Sequence, residues 1–255
     1  MSKILPDIKL SEDEYISMKK CSAYHGSEGC VIRDGDYAIK IFKNNFGKKD
    51  TCHEKIELTR ENKFCKIKTL FRYGNLFDNE FYPLATYSYE GKFVGFHGPW
   101  LPYSSMNFST LNMREKIFYL KKIRQKLESF HEIGIVYGDI KDDNIFIDTS
   151  SKKVTFVDID NMKIGAYPMD LMSNSAKNFI ANYGKVDKKL DSYMMNLLTI
   201  DLLQHHSGWY DEIIANLQLG FVPQKLDIPQ NKKLIYEMGH VGQSYCGGYL
   251  IDHVR

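Results

Sequence analysis

Cysteine is scarce and unpaired by spacing: Cys21, Cys30, Cys52, Cys65 and Cys246 are odd in number, and no two form a Cys-x-x-Cys pair. That absence argues against a zinc ribbon or a dithiol redox centre and suits the reduced thiols of a cytoplasmic protein. No run of about twenty apolar residues is available to cross a bilayer, and the first ten residues lack the apolar core of a secretory signal. Neither sign of charge dominates. A net charge of +2 removes the broad electrostatic case for nucleic acid or an anionic membrane as partner. Prolines number only seven, and no repeat or low-complexity tract marks a linker or a second module. What is present is ordinary globular material: 43% hydrophobic and 26% charged residues exclude extensive disorder. A chain of 255 residues is long enough for one large domain or two small lobes. Oligomeric state is left open by all of this.

Periodicity divides the chain into a strand-rich beginning and a helix-rich remainder. Residues 24–31 read as a tight turn between strands around Gly26 and Gly29, and the alternation Tyr37-Ala-Ile-Lys-Ile-Phe42 reads as a strand. A helix follows within 53–65, with Glu54, Glu57 and Glu61 at helical spacing on one face. Residues 83–89 and 92–97 pair as strands around the Glu90-Gly91 turn, and Gly98-Pro-Trp-Leu101 marks a connector. From Asn112 to Ile133, Ile117, Leu120, Ile123, Leu127 and Phe130 form the apolar stripe of a long helix. Asn112 with Glu115 caps its start, and Gly134 stops it. Two short strands, 145–147 and 154–157, flank a polar turn, and residues 191–203 form a helix apolar nearly all round, hence buried. Short helices are predicted around 212–219 and 232–238.

The chemistry concentrates in Gly134-Ile-Val-Tyr-Gly-Asp-Ile-Lys-Asp-Asp-Asn144 and in Asp158-Ile-Asp160 after the strand pair. In this pattern Asp139 precedes Lys141 by two residues and Asn144 by five. The hairpin predicted between them brings Asn144 and Asp158 together, and two hard oxygen donors suit Mg²⁺, which keeps its other positions for phosphate oxygens and water. Asp and Asn also cluster in plain turns, where their side chains bond nearby backbone. The order of the landmarks is what weighs against that reading.

In that order the chain resembles a small, divergent, eukaryotic-like Ser/Thr protein kinase over nearly its whole length. The resemblance implies an α+β, bilobal fold: an antiparallel sheet lobe over about 15–98, a hinge at 99–103 and a mostly helical lobe over 104–255, forming a single kinase-like domain. It implies ATP and Mg²⁺ as cofactors, with Asp139 orienting or deprotonating the acceptor hydroxyl and Lys141 offsetting charge on the transferred phosphoryl. Asn144 and Asp158 would hold the metal. Gly26, Gly29 and Val31 match the end of the glycine-rich phosphate loop, with Tyr24 in place of its first glycine; a simple β-turn explains the two glycines as well. Lys40, flanked by Ile39 and Ile41, would hold the nucleotide phosphates and pair with a helix carboxylate, Glu61 in preference to Glu57. The alternative is a strand-edge lysine reaching solvent. Pro99 would offer its C=O and Leu101 its N–H to adenine.

Departures from the family pattern matter too. Tyr137-Gly138-Asp139 stands where many members have His-Arg-Asp, so the arginine that receives an activating phosphate is missing. Asp160 stands at the glycine of Asp-Phe-Gly, a position that favours unusual backbone angles, and no Ala-Pro-Glu follows. His131 reads as structural support for the loop, and Asp191 as either a helix cap or the aspartate that binds the catalytic-loop backbone. The expected function is ATP-dependent phosphorylation of Ser or Thr in a protein substrate. The alternatives are a small-molecule kinase acting on antibiotic or choline-type alcohols, which the missing Ala-Pro-Glu favours and Lys141 disfavours, and a pseudokinase scaffold.

Overall fold

The computed structural model describes residues 4–20, 24–44, 46, 52–74, 82–102, 110–203, 221–222, 225–228, 232–235 and 239–240. The chain is α+β and divides into two compact units, Met1–Pro102 and Tyr103–Arg255.

The first unit is built on β1 (Asp7–Lys9), β2 (Tyr24–His25), β3 (Gly29–Asp34), β4 (Tyr37–Phe42), β5 (Ala85–Tyr89) and β6 (Lys92–Pro99), with α1 (Glu12–Lys20) and α2 (His53–Arg72). The sheet order is β1-β5-β6-β4-β3-β2. Antiparallel pairing was expected throughout; the sheet is instead mixed, because β1 runs parallel to β5 with Asp7 opposite Thr86. The Asp7 carboxylate accepts from the hydroxyls of Thr86 (2.9 Å) and Ser88 (2.8 Å), which fixes this edge. The strand has only three residues, too few to show a period.

Alternation on β4 decides which side chain goes where. Ile39 and Ile41 join Cys30, Tyr87 and Val94 in one apolar cluster, against which Tyr15 and Met18 of α1 pack. Tyr15 stacks on Tyr89 at 4.4 Å. Ser11 and Glu14 cap α1 reciprocally: Glu14 N–H donates to Ser11 Oγ, and Ser11 N–H donates to the Glu14 carboxylate at 2.8 Å. The other residues of β4, Lys40 and Phe42, point to the opposite face, where Phe42 meets Phe46, Phe93 and Phe96. The pairing of β5 with β6 shifts between Tyr87 and Ser88, and this bulge lets Phe93 and Phe96, three residues apart, share the face of Phe42. On that face α2 buries Thr59, Lys63, Lys66, Ile67 and Leu70. The helix runs a further two turns beyond the stretch expected from sequence.

The second unit contains α3 (Met113–Glu132), β7 (Ile135–Val136), β8 (Ile145–Asp148), β9 (Lys153–Phe156), β10 (Lys163–Ile164), α4 (Asn174–Tyr183) and α5 (Lys188–Leu203). Four short strands complete the described part: β11 (Phe221–Val222), β12 (Lys225–Ile228), β13 (Lys232–Ile235) and β14 (Gly239–His240). The predicted capping box of α3 is present in both directions between Asn112 and Glu115, and its stripe of Leu120, Ile123, Leu127 and Phe130 is buried. β8 and β9 form the expected hairpin, Ile145 opposite Phe156. α5 is buried on nearly every side from Leu190 to Thr199, as its composition predicts. Two elements differ from expectation. α4 was not anticipated; Ser173 caps it by accepting from Ala176 N–H, and Gly184 ends it at φ 87°. The helix expected around 232–238 is, over Lys232–Ile235, a strand paired with β12, with Leu226 opposite Leu234, because a short apolar run does not distinguish the two periods. The helix expected at 212–219 lies outside the described residues.

Candidate functional site

In the second unit the run from Val136 to Asn144 leaves β7 as an extended loop and closes in a 3₁₀ turn, Asp142–Asn144. Its three motif residues converge. Asn144 Nδ2 donates to Asp139 Oδ2 at 2.7 Å and to the Asp139 carbonyl at 3.0 Å. Lys141 Nζ lies 3.1 Å from the same Oδ2, with its own side chain about half exposed. With Nδ2 directed at Asp139, Asn144 keeps Oδ1 as an acceptor. A carboxylate held by an amide and an ammonium group is fixed in direction, and so can orient a hydroxyl or accept its proton.

Asp191 of α5, fully buried, holds this loop by its backbone. Its Oδ1 accepts from Gly138 N–H at 2.6 Å; its Oδ2 accepts from Tyr137 N–H at 2.9 Å and from His131 Nε2 at 2.8 Å. Of the two readings left open for Asp191, the contacts select loop binding, and His131 supports the same carboxylate. Charge-assisted bonds of this kind are about twice as strong as neutral ones.

Tyr137 supplies a further link that the sequence did not single out. Its ring packs on Phe156 at 4.5 Å, and its hydroxyl donates to the Val157 carbonyl at 2.6 Å. Val157 N–H in turn donates to the Asn144 carbonyl at 3.1 Å. The loop and the residue preceding Asp158 are thus tied side chain to backbone and backbone to backbone. Burial above all, and then the negative charges of Asp158, Asp139, Asp191 and Asp160, push the Tyr137 phenol well above its ordinary range. It stays a neutral donor.

Asp158 adopts the left-handed conformation, φ 54° and ψ 36°. The backbone concern raised by the sequence fell on Asp160, at the glycine position; Asp160 instead lies inside the 3₁₀ turn Ile159–Asn161, fully buried. The unusual angle falls two residues earlier, on an aspartate, which tolerates that region better than most residues. Hard oxygen donors from Asn144 and Asp158 fit Mg²⁺ completed by phosphate and water. Among the described residues no group of three or more His, Cys, Asp or Glu forms a self-sufficient metal cage.

Gly138 has φ 74°, and a Cβ there would run into the sulfur and terminal methyl of Met169. The space that a side chain at position 138 would take is filled by Met169, from the segment that follows Asp160. That segment is anchored: Lys163 and Ile164 of β10 pair with Val136 and Ile135, Ile164 and Tyr167 exchange backbone bonds, and Leu171 N–H donates to Asn161 Oδ1.

In the first unit, Gly26 N–H donates to the Gly29 carbonyl at 2.8 Å, and Lys43 Nζ donates to the carbonyls of Gly26 and Ser27 at 2.8 and 3.1 Å. A Cβ at Gly29 would collide with the Ile41 carbonyl of β4, whereas Gly26 has room for one. Gly29 is therefore required by strand approach. Val31, on β3, stands opposite Lys40. Lys40 is buried, and its Nζ lies 3.8 Å from Glu28 Oε2; Glu28 Oε1 lies 3.1 Å from Nζ of the buried Lys63. Glu61, expected as the partner, is exposed on α2. Burial is the largest single influence on the Glu57 carboxyl and raises it, but Arg60 (3.3 Å), Lys92 (3.6 Å) and His53 (3.6 Å) together outweigh it and hold the carboxyl below the usual range. The helix turns lysines inward because 63 and 66 lie on its buried face and 57 and 61 do not. Glu28, between a serine and a glycine in a turn, carries no periodic signal. Pro99 closes β6 opposite Tyr37, and Trp100 N–H donates to the Asp36 carbonyl at 2.7 Å. Leu101 is buried. The connector expected at Gly98-Pro99 is thus the end of a strand.

Cys30 is buried, its thiol directed at the Ile41 carbonyl, and neither it nor Cys52 nor Cys65 is in a disulfide. No helix among the described residues is long and apolar enough to cross a membrane. Neither protein-family models nor curated proteins give a match to this chain.

Proposed function

We propose that the chain is an ATP- and Mg²⁺-dependent protein kinase that transfers the γ-phosphoryl group to Ser or Thr hydroxyls. The observation that carries this reading is the shared Asp139 oxygen, 2.7 Å from Asn144 Nδ2 and 3.1 Å from Lys141 Nζ, on a loop whose backbone is gripped by Asp191. In the reaction the acceptor oxygen attacks the γ-phosphorus as the bond to the bridging oxygen breaks, and ADP departs with that electron pair. Asp139 aims the hydroxyl and takes its proton. Lys141, its side chain about half exposed, offsets charge on the phosphoryl oxygens. Mg²⁺, when bound, neutralises the phosphates, and Asn144 and Asp158 are the residues that would hold it. Lys40 would hold the nucleotide phosphates, the role that gives a buried lysine on this strand a purpose.

Lys141 is the residue that favours a protein acceptor. The missing Ala-Pro-Glu favours a small alcohol, so the test carries both. Purified chain is incubated with γ-labelled ATP and Mg²⁺, once with a Ser/Thr-rich protein and once with amino-sugar and choline-type alcohols, beside Asp139→Ala. Label is expected in the protein fraction and is expected to fall about 10²–10³-fold in Asp139→Ala. Label confined to the alcohols moves the reading to a small-molecule kinase, and equal labelling by parent and variant ends it in favour of a scaffold. In a melting assay Asp158→Ala is expected to lose the ATP·Mg²⁺ stabilisation of the parent; a retained shift removes the metal assignment.

A further inference from the structure

A lysine on a central strand needs a counter-charge when it is taken out of water. In the first unit that counter-charge comes from the wrong place for the pattern read in the sequence. We propose that Glu28, clamped by Lys63, is the carboxylate that positions Lys40 for the nucleotide phosphates, and that α2 contributes the clamp and not the carboxylate. The inference rests on the phosphotransferase reading for the word nucleotide, and on geometry for the rest.

Three elements build the arrangement. β4 alternation sends Lys40 and Phe42 to the face where α2 packs, and both lysine nitrogens lie over the Phe42 ring, Lys40 at 5.5 Å and Lys63 at 5.1 Å. The turn between β2 and β3 drives Glu28 into the same place. Its backbone is held while its side chain turns inward: the Glu28 carbonyl accepts from Lys43 N–H at 2.7 Å, and the Lys43 ammonium holds the two carbonyls before it. Only 5% of Glu28 is exposed, against 7% of Lys40 and none of Lys63. The two distances are unequal. Both attractions are electrostatic: Glu28 Oε1 lies 3.1 Å from Lys63 Nζ without hydrogen-bond alignment, and Oε2 lies 3.8 Å from Lys40 Nζ. The nearer charge, Lys63, holds Glu28 the more strongly, and Glu28 in turn holds Lys40, a grip that an incoming phosphate oxygen can share. The two carboxylates of α2 that helical spacing nominates are elsewhere: Glu61 exposed, Glu57 among Arg60, Lys92 and His53.

The signature of such a clamp is a pair of opposite electrostatic effects on one amine. Acetic anhydride acylates only neutral amines, and mass spectrometry reads the extent at Lys40. Glu28→Gln removes the negative neighbour and is expected to raise Lys40 labelling about three- to tenfold; Lys63→Met removes a positive neighbour and is expected to lower it. Glu28→Asp keeps the charge and is expected to stay near the parent, as is Glu61→Gln. General loosening of the fold would raise labelling in both of the first two variants, so the opposite signs separate positioning from damage. In calorimetry ATP·Mg²⁺ is expected to bind about tenfold more weakly to Glu28→Gln and unchanged to Glu61→Gln. If Glu28→Gln does not fold, the fall in Lys63→Met against an unchanged Glu61→Gln carries the test. Equal Lys40 labelling in the parent and in the Glu28 and Lys63 variants overturns the proposal, as does a rise in Glu61→Gln. Opposite labelling effects in a parent that binds no ATP·Mg²⁺ leave the clamp standing and overturn the nucleotide reading.

Discussion

The two units hold their key side chains by different means. In the second, Asp139 is positioned through backbone: Asp191 grips the N–H groups of Tyr137 and Gly138, and the Tyr137 hydroxyl grips the Val157 carbonyl. In the first, Lys40 is positioned by charge, through Glu28 and Lys63 from two other elements. Backbone-directed bonds need acceptors at fixed points and fail when an oxygen becomes an NH₂ group. A charge cluster needs the sign of each member and tolerates shifts in geometry. The difference decides which substitutions each unit will bear.

The largest expected effect is Asp191→Asn. Both carboxylate oxygens accept, Oδ1 from Gly138 and Oδ2 from Tyr137 and His131, so the amide turns a donor onto a donor. A loss of about 3–5 kcal/mol is expected in urea unfolding, because buried donors are left without their charge. A loss under 1 kcal/mol would mean the loop is held otherwise. Gly138→Ala comes next. The φ of 74° and the collision with Met169 are expected to cost about 2–4 kcal/mol together. The double variant Gly138→Ala with Met169→Ala is expected to recover the steric part alone. Tyr137→Phe strands the Val157 carbonyl, at about 1–2 kcal/mol, and is expected to lower turnover while leaving nucleotide affinity unchanged. If affinity falls equally, the hydroxyl does more than join loop to hairpin.

The smallest effect concerns the β8–β9 turn. Asp148 is held down to about 2, chiefly by the hydroxyls of Ser150 and Ser151, which donate to it. Because the carboxyl is more acidic in the folded chain than in the unfolded one, its contribution is complete above the ordinary carboxylate range and fades as pH falls toward 2. In Ser150→Ala the NMR titration midpoint of Asp148 is expected to rise toward the ordinary value. An unmoved midpoint would give the effect to the Ser151 hydroxyl and the backbone N–H groups instead.

Local features were legible in proportion to how much of their cause lies within a few residues. α3 has a stripe, a capping box and a glycine stop, and each is a short-range signal. The contacts among Asp139, Lys141 and Asn144 were readable because a tight loop brings its own residues together. Glu28 was not, because its inward turn is imposed by Lys43 and by the packing of α2, neither of which leaves a period in the sequence. Lys63 and Lys66, both buried, carry no sequence marker of burial for the same reason. Asp158 was recognised for its carboxylate, while the backbone concern was assigned to Asp160; a left-handed angle on an aspartate has no marker as plain as glycine.

The seat of Met169 against Gly138 has a kinetic consequence. Neither the run from Val136 to Asn144 nor the stretch after Asp160 can open alone, because β7–β10 pairing and that sulfur join them. The amides of Tyr137 and Gly138 and the backbone pairs of Ile164 should exchange with deuterium as one foldon, at one rate and one denaturant slope.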